Sequence, residues 1–368
     1  MLLAIKNLTR RSIRTALSIL GVAVGVGSIV AFTAMGEGFK ASIDRYGRDS
    51  GADLVLVEDR AGDPAFGRIL GPELETMRAL PGVRAVEASL VMPASLPNRA
   101  APFLVLGRDL GGELLAGYKS PALRGRLLDG PEQVMLGEIS AEELGKEVGD
   151  RLDLFGRELE VVGIYRTGVR WENGGAVVDA RMLRQQLTMP EDSGMVAFVY
   201  LASDDALPAV TFQLQAAFPR LRVLPTAFLA SGFEQLAYID AFIWVISLAA
   251  LIVGAIGVLN TMLMSVSERV REIGTLRAFG WPRAMVMRLI LGEGLVTSLL
   301  GGVGGSLLGV VGAELLMQMV PQGILEPLYG PRIFARAMIV AVLLGLLGAL
   351  YPAWRASRLA PAEALRYE

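Results

Sequence analysis

Four long stretches of this chain are almost entirely apolar, and segments rich in charged residues separate them. The stretches cover residues 16–35, 241–267, 289–316 and 337–354. About 20 apolar residues in a helix cross a hydrocarbon core of roughly 30 Å. A helix also satisfies every backbone N–H and C=O group where water is absent. The pattern therefore predicts four transmembrane helices.

The segments around these stretches complete the expected domain layout. We expect an N-terminal segment with the first helix in 1–36, a large domain in 37–238, the second helix in 239–267, a short amphipathic helix in 268–282, the third helix in 283–316, a loop in 317–336, the fourth helix in 337–354 and a tail in 355–368. Gly280 and Pro282 are expected to end the short helix, because glycine accepts a left-handed cap and proline cannot continue the helix.

The large domain alternates strand-like and helix-like segments. Two β-α-β units, at about 50–95 and 195–226, predict a ferredoxin-like layer. Residues from about 96 to 194 form mostly short strand-like runs, which predict a β-rich lobe inserted into that layer. The predicted fold class is an α+β membrane protein, with four transmembrane helices and a large α+β domain between the first and second.

Basic residues are distributed unequally around the apolar stretches. Outside residues 37–240 the chain carries 14 Lys and Arg residues, and 12 of them precede the first stretch, lie between the second and third, or follow the fourth. Because basic residues concentrate on the cytoplasmic side, we expect both termini in the cytoplasm and the large domain outside it, in an inner (plasma) membrane. The first apolar run is longer than the roughly 7–15 residues of a signal peptide, which favours a retained helix.

The composition excludes several classes of chemistry. The chain has no cysteine and no histidine, which removes thiolate and imidazole metal ligands and a Ser-His-Asp triad. Its one Gly-Lys pair, Gly145-Lys146, is followed by Glu147 rather than by serine or threonine, so the pattern of a phosphate-binding loop is missing. Basic residues flank apolar stretches instead of forming a stripe, which disfavours nucleic-acid binding. We expect no catalytic, metal or cofactor site.

Small residues repeat at four-residue spacing in three of the apolar stretches. They are Gly21 and Gly25 in the first, Gly301, Gly305 and Gly309 in the third, and Ala341, Gly345 and Ala349 in the fourth. Lipid gives helices no hydrophobic reason to associate, so close contact at small faces must hold them together. These stripes predict helix-packing surfaces, and we expect the third-stretch glycines to support assembly of the protein.

Two carboxylates lie within the third apolar stretch. An ionisable residue inside a membrane is a functional candidate by default. Glu293 lies about three turns from Arg283, and Glu314 lies near the outer end of the stretch. We interpret both as packing or snorkelling groups in preference to an ion relay.

The short helix at 268–282 combines apolar spacing with charges of both signs. Val270, Ile273 and Leu276 recur every three residues among arginines and glutamates. One interpretation is an interfacial helix whose arginines meet lipid phosphates. The other is a coupling helix that docks into a soluble motor protein. The residue pattern by itself supports the two equally.

Three runs of the sequence resemble the FtsX/MacB-like permeases of ABC transporters. Residues 260–280 read N-T-M-L-M-S-V-S-E-R-V-R-E-I-G-T-L-R-A-F-G, which is similar to the family pattern S-x-x-E-R-x-x-E-I-G-x-x-R-A-x-G. The opening residues 4–26 and the tail 351–368 are similar to the two ends of the family. The resemblance implies the same division of the outside domain into a porter-like layer and an inserted lobe.

The resemblance favours the coupling-helix interpretation and implies which residues couple to an ATPase. They are Glu268, Arg269, Arg271, Glu272, Ile273, Gly274, Leu276 and Arg277. Under this interpretation Ile273 and Leu276 fill an apolar pocket of the ATPase, while the charges pair with its surface.

The function that the resemblance implies is that of a non-catalytic permease subunit. A partner ABC ATPase would bind ATP and magnesium, and this chain would transmit the resulting conformational change to the outside domain, for export or extraction of a drug, peptide or lipoprotein. The expected partners are that ATPase, a second permease in a homodimer or heterodimer, membrane lipids and a membrane-fusion protein. A regulator of a cell-envelope hydrolase and a membrane receptor without an ATPase are the alternatives.

Overall fold

The computed structural model describes residues 12–59, 67–96, 103–119, 122–232, 235–319 and 326–359. The chain divides into two compact units. The helical unit consists of Met1–Glu37, Asp240–Leu316 and Pro327–Glu368, and the α+β unit consists of Gly38–Ile239 and Met317–Glu326. Each unit has its own buried apolar clusters.

The described part of the chain starts with a long helix, α1 (Ser12–Asp49), and continues through the α+β unit. The elements that follow are β1 (Leu54–Glu58), α2 (Gly71–Arg78), β2 (Val83–Ala94), β3 (Phe103–Arg108), α3 (Glu113–Ala116), β4 (Ala122–Gly125), β5 (Gln133–Gly137), α4 (Glu138–Leu144), β6 (Arg151–Leu154), β7 (Arg157–Arg166), α5 (Arg170–Asn173), β8 (Ala176–Asp179), α6 (Ala180–Gln186), β9 (Val196–Leu201), α7 (Leu207–Ala217) and β10 (Leu221–Pro225). Short 3₁₀ segments cover Gly117–Lys119, Asp204–Ala206 and Thr226–Gly232.

The first and last strands of this unit form a ferredoxin-like layer. The strand order is β10-β1-β9-β2, and every neighbouring pair is antiparallel. Helix α2 connects β1 to β2, and α7 connects β9 to β10, so two β-α-β units interlock as this fold requires. The predicted fold class is therefore confirmed, with an α+β domain between the first and second of the long apolar helices.

Strand β1 is buried on both faces of the layer, because alternate residues point to opposite sides. Leu54 and Leu56 join an apolar cluster with residues of α2 and α7 on one face. Val55 and Val57 join a second cluster with Leu229 of the segment that follows β10. A strand covered on both faces has a continuous apolar sequence, as L-V-L-V does here.

Strand β2 joins the ferredoxin-like layer to the inserted lobe. Its first part, from Val83 to Ser89, pairs with β9, and its second part, from Leu90 to Ala94, pairs with β3. The lobe then continues in the order β3-β8-β5-β7-β4, with β6 added on β7. One strand of 12 residues thus belongs to both sheets.

The helical unit contains most of α8 (Gln235–Glu268) and α10 (Arg283–Met319), all of α9 (Val270–Ala278) and α11 (Pro331–Ser357), and the first part of α1. In the described part of the chain, α1, α8, α10 and α11 are long and apolar enough to cross a membrane. Several extend beyond the apolar stretches: α8 begins at Gln235 and α11 at Pro331. Polar residues at the ends continue each helix because backbone hydrogen bonding does not stop where hydrophobicity stops.

The glycine stripe of α10 packs on α1 of the same chain. A Cβ atom added to Gly305 would lie 2.6 Å from the carbonyl oxygen of Ala23, and one added to Gly309 would lie 2.6 Å from that of Gly27. One added to Gly301 would lie 2.7 Å from Val22 Cβ. These contacts correct the expectation that the stripe supports assembly with another subunit, because its small face is already covered inside the chain.

The small residues of α11 contact a second face of α10. Ala341 lies against Gly302, Ala349 lies against Gly294, and a Cβ atom on Gly345 would lie 2.8 Å from the carbonyl oxygen of Gly294. Ala341 and Ala349 are fully buried. Helix α10 therefore needs small residues on two faces, which explains why it is rich in glycine.

The two glycines of α1, Gly21 and Gly25, do not share one helix contact. Gly25 approaches Ala250 of α8, with an added Cβ atom 3.3 Å from its carbonyl oxygen. Gly21 has no described atom within 4 Å of an added Cβ atom, so a packing contact at Gly21 stays a prediction. Helix α10 meets α1 on the face that carries Val22 and Val26 instead.

We expect Gly305→Leu to destabilise the helical unit by about 1–3 kcal/mol, because the side chain would enter space filled by the α1 backbone. Gly312→Leu is the matched control, since an added Cβ atom there meets nothing within 4 Å among the described residues. Thermal unfolding of both variants in one detergent measures the difference. Equal melting temperatures would show that α1 and α10 do not pack as described.

Candidate functional site

Helix α9 is a separate short helix between two long ones. The sequence predicts it at 268–282, whereas Glu268 is the last residue of α8 and α9 begins at Val270. Arg269 separates them with φ −114° and ψ 17°, outside helical geometry. The chain therefore changes direction at Arg269, and the charged segment does not simply extend α8.

The carboxyl end of α9 is a Schellman cap. Gly280 has φ +90°, its N–H donates to the carbonyl of Arg277 at 3.1 Å, and the N–H of Trp281 donates to that of Leu276 at 3.2 Å. Glycine is required at this position because its lack of a Cβ atom permits a left-handed conformation. The expected stop at Gly280 and Pro282 is thus present, and α10 begins at Arg283.

The apolar face of α9 packs on the helices of its own chain. Ile273 is 6% exposed and lies in a cluster with Val286 and Ile290 of α10 and Ala353 and Ala356 of α11. Gly274 beside it is also buried. Ile273 is thus packed inside the subunit, and a role for it in a pocket of an ATPase stays a prediction.

Arg269 also points into the chain. Its Nη1 atom donates to both carboxylate oxygens of Glu293 on α10, at 2.9 and 3.2 Å. The two side chains are only 19% and 9% exposed. Glu293 therefore stabilises the α8–α9 corner, which agrees with a packing role for this carboxylate and identifies Arg269, not Arg283, as its ion-pair partner.

The outward face of α9 carries charge of both signs and one aromatic ring. Arg271 and Glu272 are exposed, and their side chains form no hydrogen bond or ion pair with other described residues. Phe279 is 82% exposed. Glu272 and Phe279 lie seven residues apart, so they share one side of the helix. We call the surface formed by Arg271, Glu272 and Phe279 the outward face.

The remaining expected coupling residues lie between these two faces. Leu276 and Arg277 are half-buried, and Glu268 is exposed at the end of α8. The structure thus brings Arg271, Glu272 and part of Leu276 to one accessible surface and removes Arg269, Ile273 and Gly274 from it.

Sequence reasoning missed Phe279 as a candidate. The signal was present, because an aromatic residue seven positions after Glu272 falls on the charged side of a helix, where solvent exposure is costly. The Arg269–Glu293 pair had no local signal, since 24 residues separate its members.

Comparison with known protein families covers most of the chain. The MacB-like periplasmic core domain matches residues 15–217, and the FtsX-like permease C-terminal region matches residues 244–361. The first match includes most of α1 and of the α+β unit, and the second includes most of α8 and all of α9 to α11.

Similar curated proteins match along almost the whole chain. The macrolide export ATP-binding/permease protein MacB of Hyphomonas neptunium is 29% identical over 100% of this chain and 60% of its own length. The ABC transporter permease YknZ of Bacillus subtilis is 25% identical over 100% of this chain and 98% of its own length. The pyoverdine export ATP-binding/permease protein PvdT of Pseudomonas syringae pv. tomato is 27% identical over 96% and 57%. The chain thus spans about three fifths of the MacB and PvdT relatives.

Two solved structures align with about half of the chain. The extracellular domain of YknZ aligns with 47% of it at a TM-score of 0.35 and 16% identity, covering 98% of that domain. The periplasmic region of MacB from Actinobacillus actinomycetemcomitans aligns with 51% at a TM-score of 0.37 and 12% identity, covering 95% of that region.

We expect Arg269→Gln and Glu293→Gln to be non-additive by about 1–3 kcal/mol, because each removes the other's charged partner. A double-mutant cycle of thermal or denaturant unfolding in detergent measures this coupling. The control cycle combines Glu293→Gln with Arg283→Gln, whose side chain is exposed. Additive effects in the first cycle, equal to those in the control, would show that the pair does not form.

Proposed function

This chain belongs to the MacB/FtsX-like family of ABC transporter permeases, and on that basis we propose that a partner ATPase acts on it through the outward face of α9. The chain is the membrane subunit in this proposal, and the α+β unit is the part that the ATPase ultimately moves. The observation that carries the proposal is the division of α9 into two faces. The apolar face packs against helices of the same chain, and the exposed face has two charged residues and a phenylalanine.

This division favours protein docking over lipid anchoring. An interfacial helix binds a bilayer by burying its apolar face in the acyl region. The apolar residue Ile273 of α9 instead contacts α10 and α11. What remains outside is Arg271, Glu272 and Phe279, a mixture of opposite charges around an aromatic side chain. Aromatic and arginine side chains are enriched at the centres of protein interfaces.

The contacts of α9 provide a route for displacement within the helical unit. Ile273 packs on α10, and Arg269 is bonded to Glu293 of α10. Helix α10 in turn contacts the backbone of α1 at Gly305 and Gly309. Because protein interiors are close-packed, a shift of α9 must be accommodated by α10 and α1. Helices α1 and α8 run without interruption into the α+β unit, and we infer that they transmit the movement.

We propose that a separate ATPase domain or subunit binds and hydrolyses ATP. A phosphate-binding loop precedes a helix. Gly145, from the one Gly-Lys pair of the sequence, instead follows α4 and is its left-handed cap. The relatives MacB and PvdT are named ATP-binding/permease proteins and are longer than this chain. A partner ATPase would bind ATP with magnesium, while this chain stays non-catalytic.

The proposed activity is export or extraction of a substrate such as a drug, a peptide or a lipoprotein. Support comes from the relatives, two of which are named for the export of macrolides and of pyoverdine. We further propose pairing with a second permease, as homodimer or heterodimer. Helix α8 leaves much of its apolar stretch exposed, with Trp244 76% and Val253 70% accessible, so lipid or a second permease must cover it.

We expect Phe279→Ala and Glu272→Gln each to reduce permease-dependent stimulation of the ATPase by about tenfold, since a buried interface contact of this type is worth on the order of 1–2 kcal/mol. Both side chains are exposed, so the variants should retain the stability of the unaltered protein. The measurement is ATPase activity after reconstitution with the partner in lipid nanodiscs.

Phe212→Ala is the matched control for this experiment. Phe212 is 73% exposed on α7 of the α+β unit, so its loss should leave docking at the outward face unchanged. Full stimulation in both test variants would contradict docking at the outward face. Ile273→Asp is unsuitable as a test, because it places a charge in an apolar cluster and would unfold the corner.

The absence of cysteine permits a direct test of topology. We expect a cysteine introduced at Gly130 to react with a membrane-impermeant maleimide added to whole cells, or to spheroplasts if an outer membrane is present. One introduced at the exposed Ala278 should react only after the membrane is permeabilised. The reason is the accumulation of arginine around α9, which holds that loop on the cytoplasmic side. The opposite labelling pattern would contradict both the orientation and access of a cytoplasmic ATPase to α9.

A further inference from the structure

The α+β unit contains a cavity of about 370 Å³ whose walls include two buried and oppositely charged side chains. Arg108, at the end of β3, is 1% exposed, and Glu172, in α5, is 4% exposed. Tyr46 and Asp49, from the last two turns of α1, also line the cavity. Asp49 is exposed and therefore accessible from solvent.

Arg108 is held in place but retains an unused donor. Its Nη2 atom donates to the hydroxyl of Tyr46 at 2.6 Å, and its Nη1 atom donates to the hydroxyl of Ser89. Its Nε atom is buried and has no hydrogen-bond partner among the described residues. A buried donor without an acceptor is unfavourable, so the residues around Arg108 leave its hydrogen-bonding capacity partly unused.

Glu172, the negatively charged residue of the cavity, is also held by hydrogen bonds from neighbouring side chains. The hydroxyl of Tyr118 donates to its Oε1 atom at 2.7 Å, and the hydroxyl of Tyr165 donates to its backbone carbonyl at 2.8 Å. Burial raises the pKa of the Glu172 carboxyl, and the hydrogen bond from Tyr118 opposes that rise. The positive charge of Arg108 also lowers this pKa, so the cavity residues partly offset the cost of burying the Glu172 carboxylate.

Arg108 and Glu172 do not form an ion pair with each other. Among the described residues no nitrogen of Arg108 lies within 4.0 Å of a carboxylate oxygen of Glu172. Two opposite charges thus line one cavity without direct contact. Buried charges are stable when they are paired or hydrogen-bonded, so a group with both a donor and an acceptor fits the space between them.

We propose that this cavity binds a primary amine with a neighbouring carbonyl oxygen, the chemistry of an amino acid or of the N-terminus of a peptide. The ammonium group lies toward Glu172 and Asp49, and the carbonyl oxygen lies toward Arg108. Two carboxylates against one guanidinium favour a cationic group over an anion. The aromatic rings of Tyr46 and Tyr118 also suit an ammonium ion, which is attracted to the face of such rings.

The proposal does not depend on coupling to an ATPase, because binding is measured without nucleotide and without the partner. The full chain in lipid nanodiscs is titrated by calorimetry with alanine, dialanine and N-acetyl-dialanine up to about 10 mM, a range that detects affinities weaker than 1 mM. Acetylation removes the positive charge and leaves the carbonyl groups in place. Alanine and dialanine separate a free amino acid from a peptide terminus.

We expect dialanine or alanine to bind and N-acetyl-dialanine not to bind. Glu172→Gln and Asp49→Asn should each weaken binding by about tenfold, as expected for losing a charge-assisted hydrogen bond. Glu142→Gln, an exposed carboxylate elsewhere in the same unit, should have no effect. Asp49 is exposed, so its variant tests the site even where Glu172→Gln lowers stability.

Two outcomes would overturn the proposal. Binding of neither amine would mean that the cavity holds water only. Equal binding of the acetylated and free peptides, unchanged in Asp49→Asn, would mean that the ligand is recognised without its amine. Trp171, whose ring centroid lies 5.0 Å from that of Tyr46, offers a second readout, because its fluorescence should change on binding at this site.

Discussion

The helical unit depends on direct contact between the backbones of α1 and α10. Gly27 faces Gly305 and Gly309, and no side chain larger than hydrogen fits at these positions. In water such a pair of helices would be driven together by burial of apolar surface, but lipid tails are as apolar as the side chains. Close dispersion contact at bare backbone is the attraction that remains. Helix α10 then uses its other small face for α11, which makes it the centre of the unit.

The same helix holds α9 in place. The buried Ile273 and the ion pair between Arg269 and Glu293 attach the short helix to α10 at two points. An ion pair with this little solvent exposure resists separation, because breaking it leaves a buried charge without its partner. The consequence is a short helix attached to α10, with Glu272 and Phe279 left as its accessible part. The proposed transmission needs such an attachment, since a loosely held helix would absorb a displacement.

The α+β unit is organised around strand β2, which pairs with β9 in the ferredoxin-like layer and with β3 in the lobe. Arg108 is the last residue of β3, and its guanidinium donates hydrogen bonds to Ser89 on β2 and to Tyr46 on α1. A single buried side chain therefore connects a helix, the layer and the lobe. The adjoining cavity is lined by residues of α1 and of the lobe, so a molecule in the proposed amine site would contact both.

The amino-acid sequence by itself determined the features that depend on neighbours along the chain. Four apolar runs of sufficient length required four helices, since a bilayer offers no other partner for backbone groups. The β-α-β repeats predicted the ferredoxin-like layer, Gly280 predicted the cap of α9, and the motif around Glu268 to Gly280 predicted the family. Each of these properties is local, because periodicity, length and backbone conformation are written in consecutive residues.

Only the tertiary structure decided which surfaces meet. It placed Ile273 inside and Phe279 outside, paired Arg269 with Glu293 across 24 residues, and turned the stripe at Gly305 toward α1 instead of another subunit. It also brought Glu172 into the cavity of Arg108. A helical pattern shows that a face is apolar or small, but several faces in the same chain satisfy that description equally. The choice among them is made by the packing of all elements at once, which no local stretch of sequence contains.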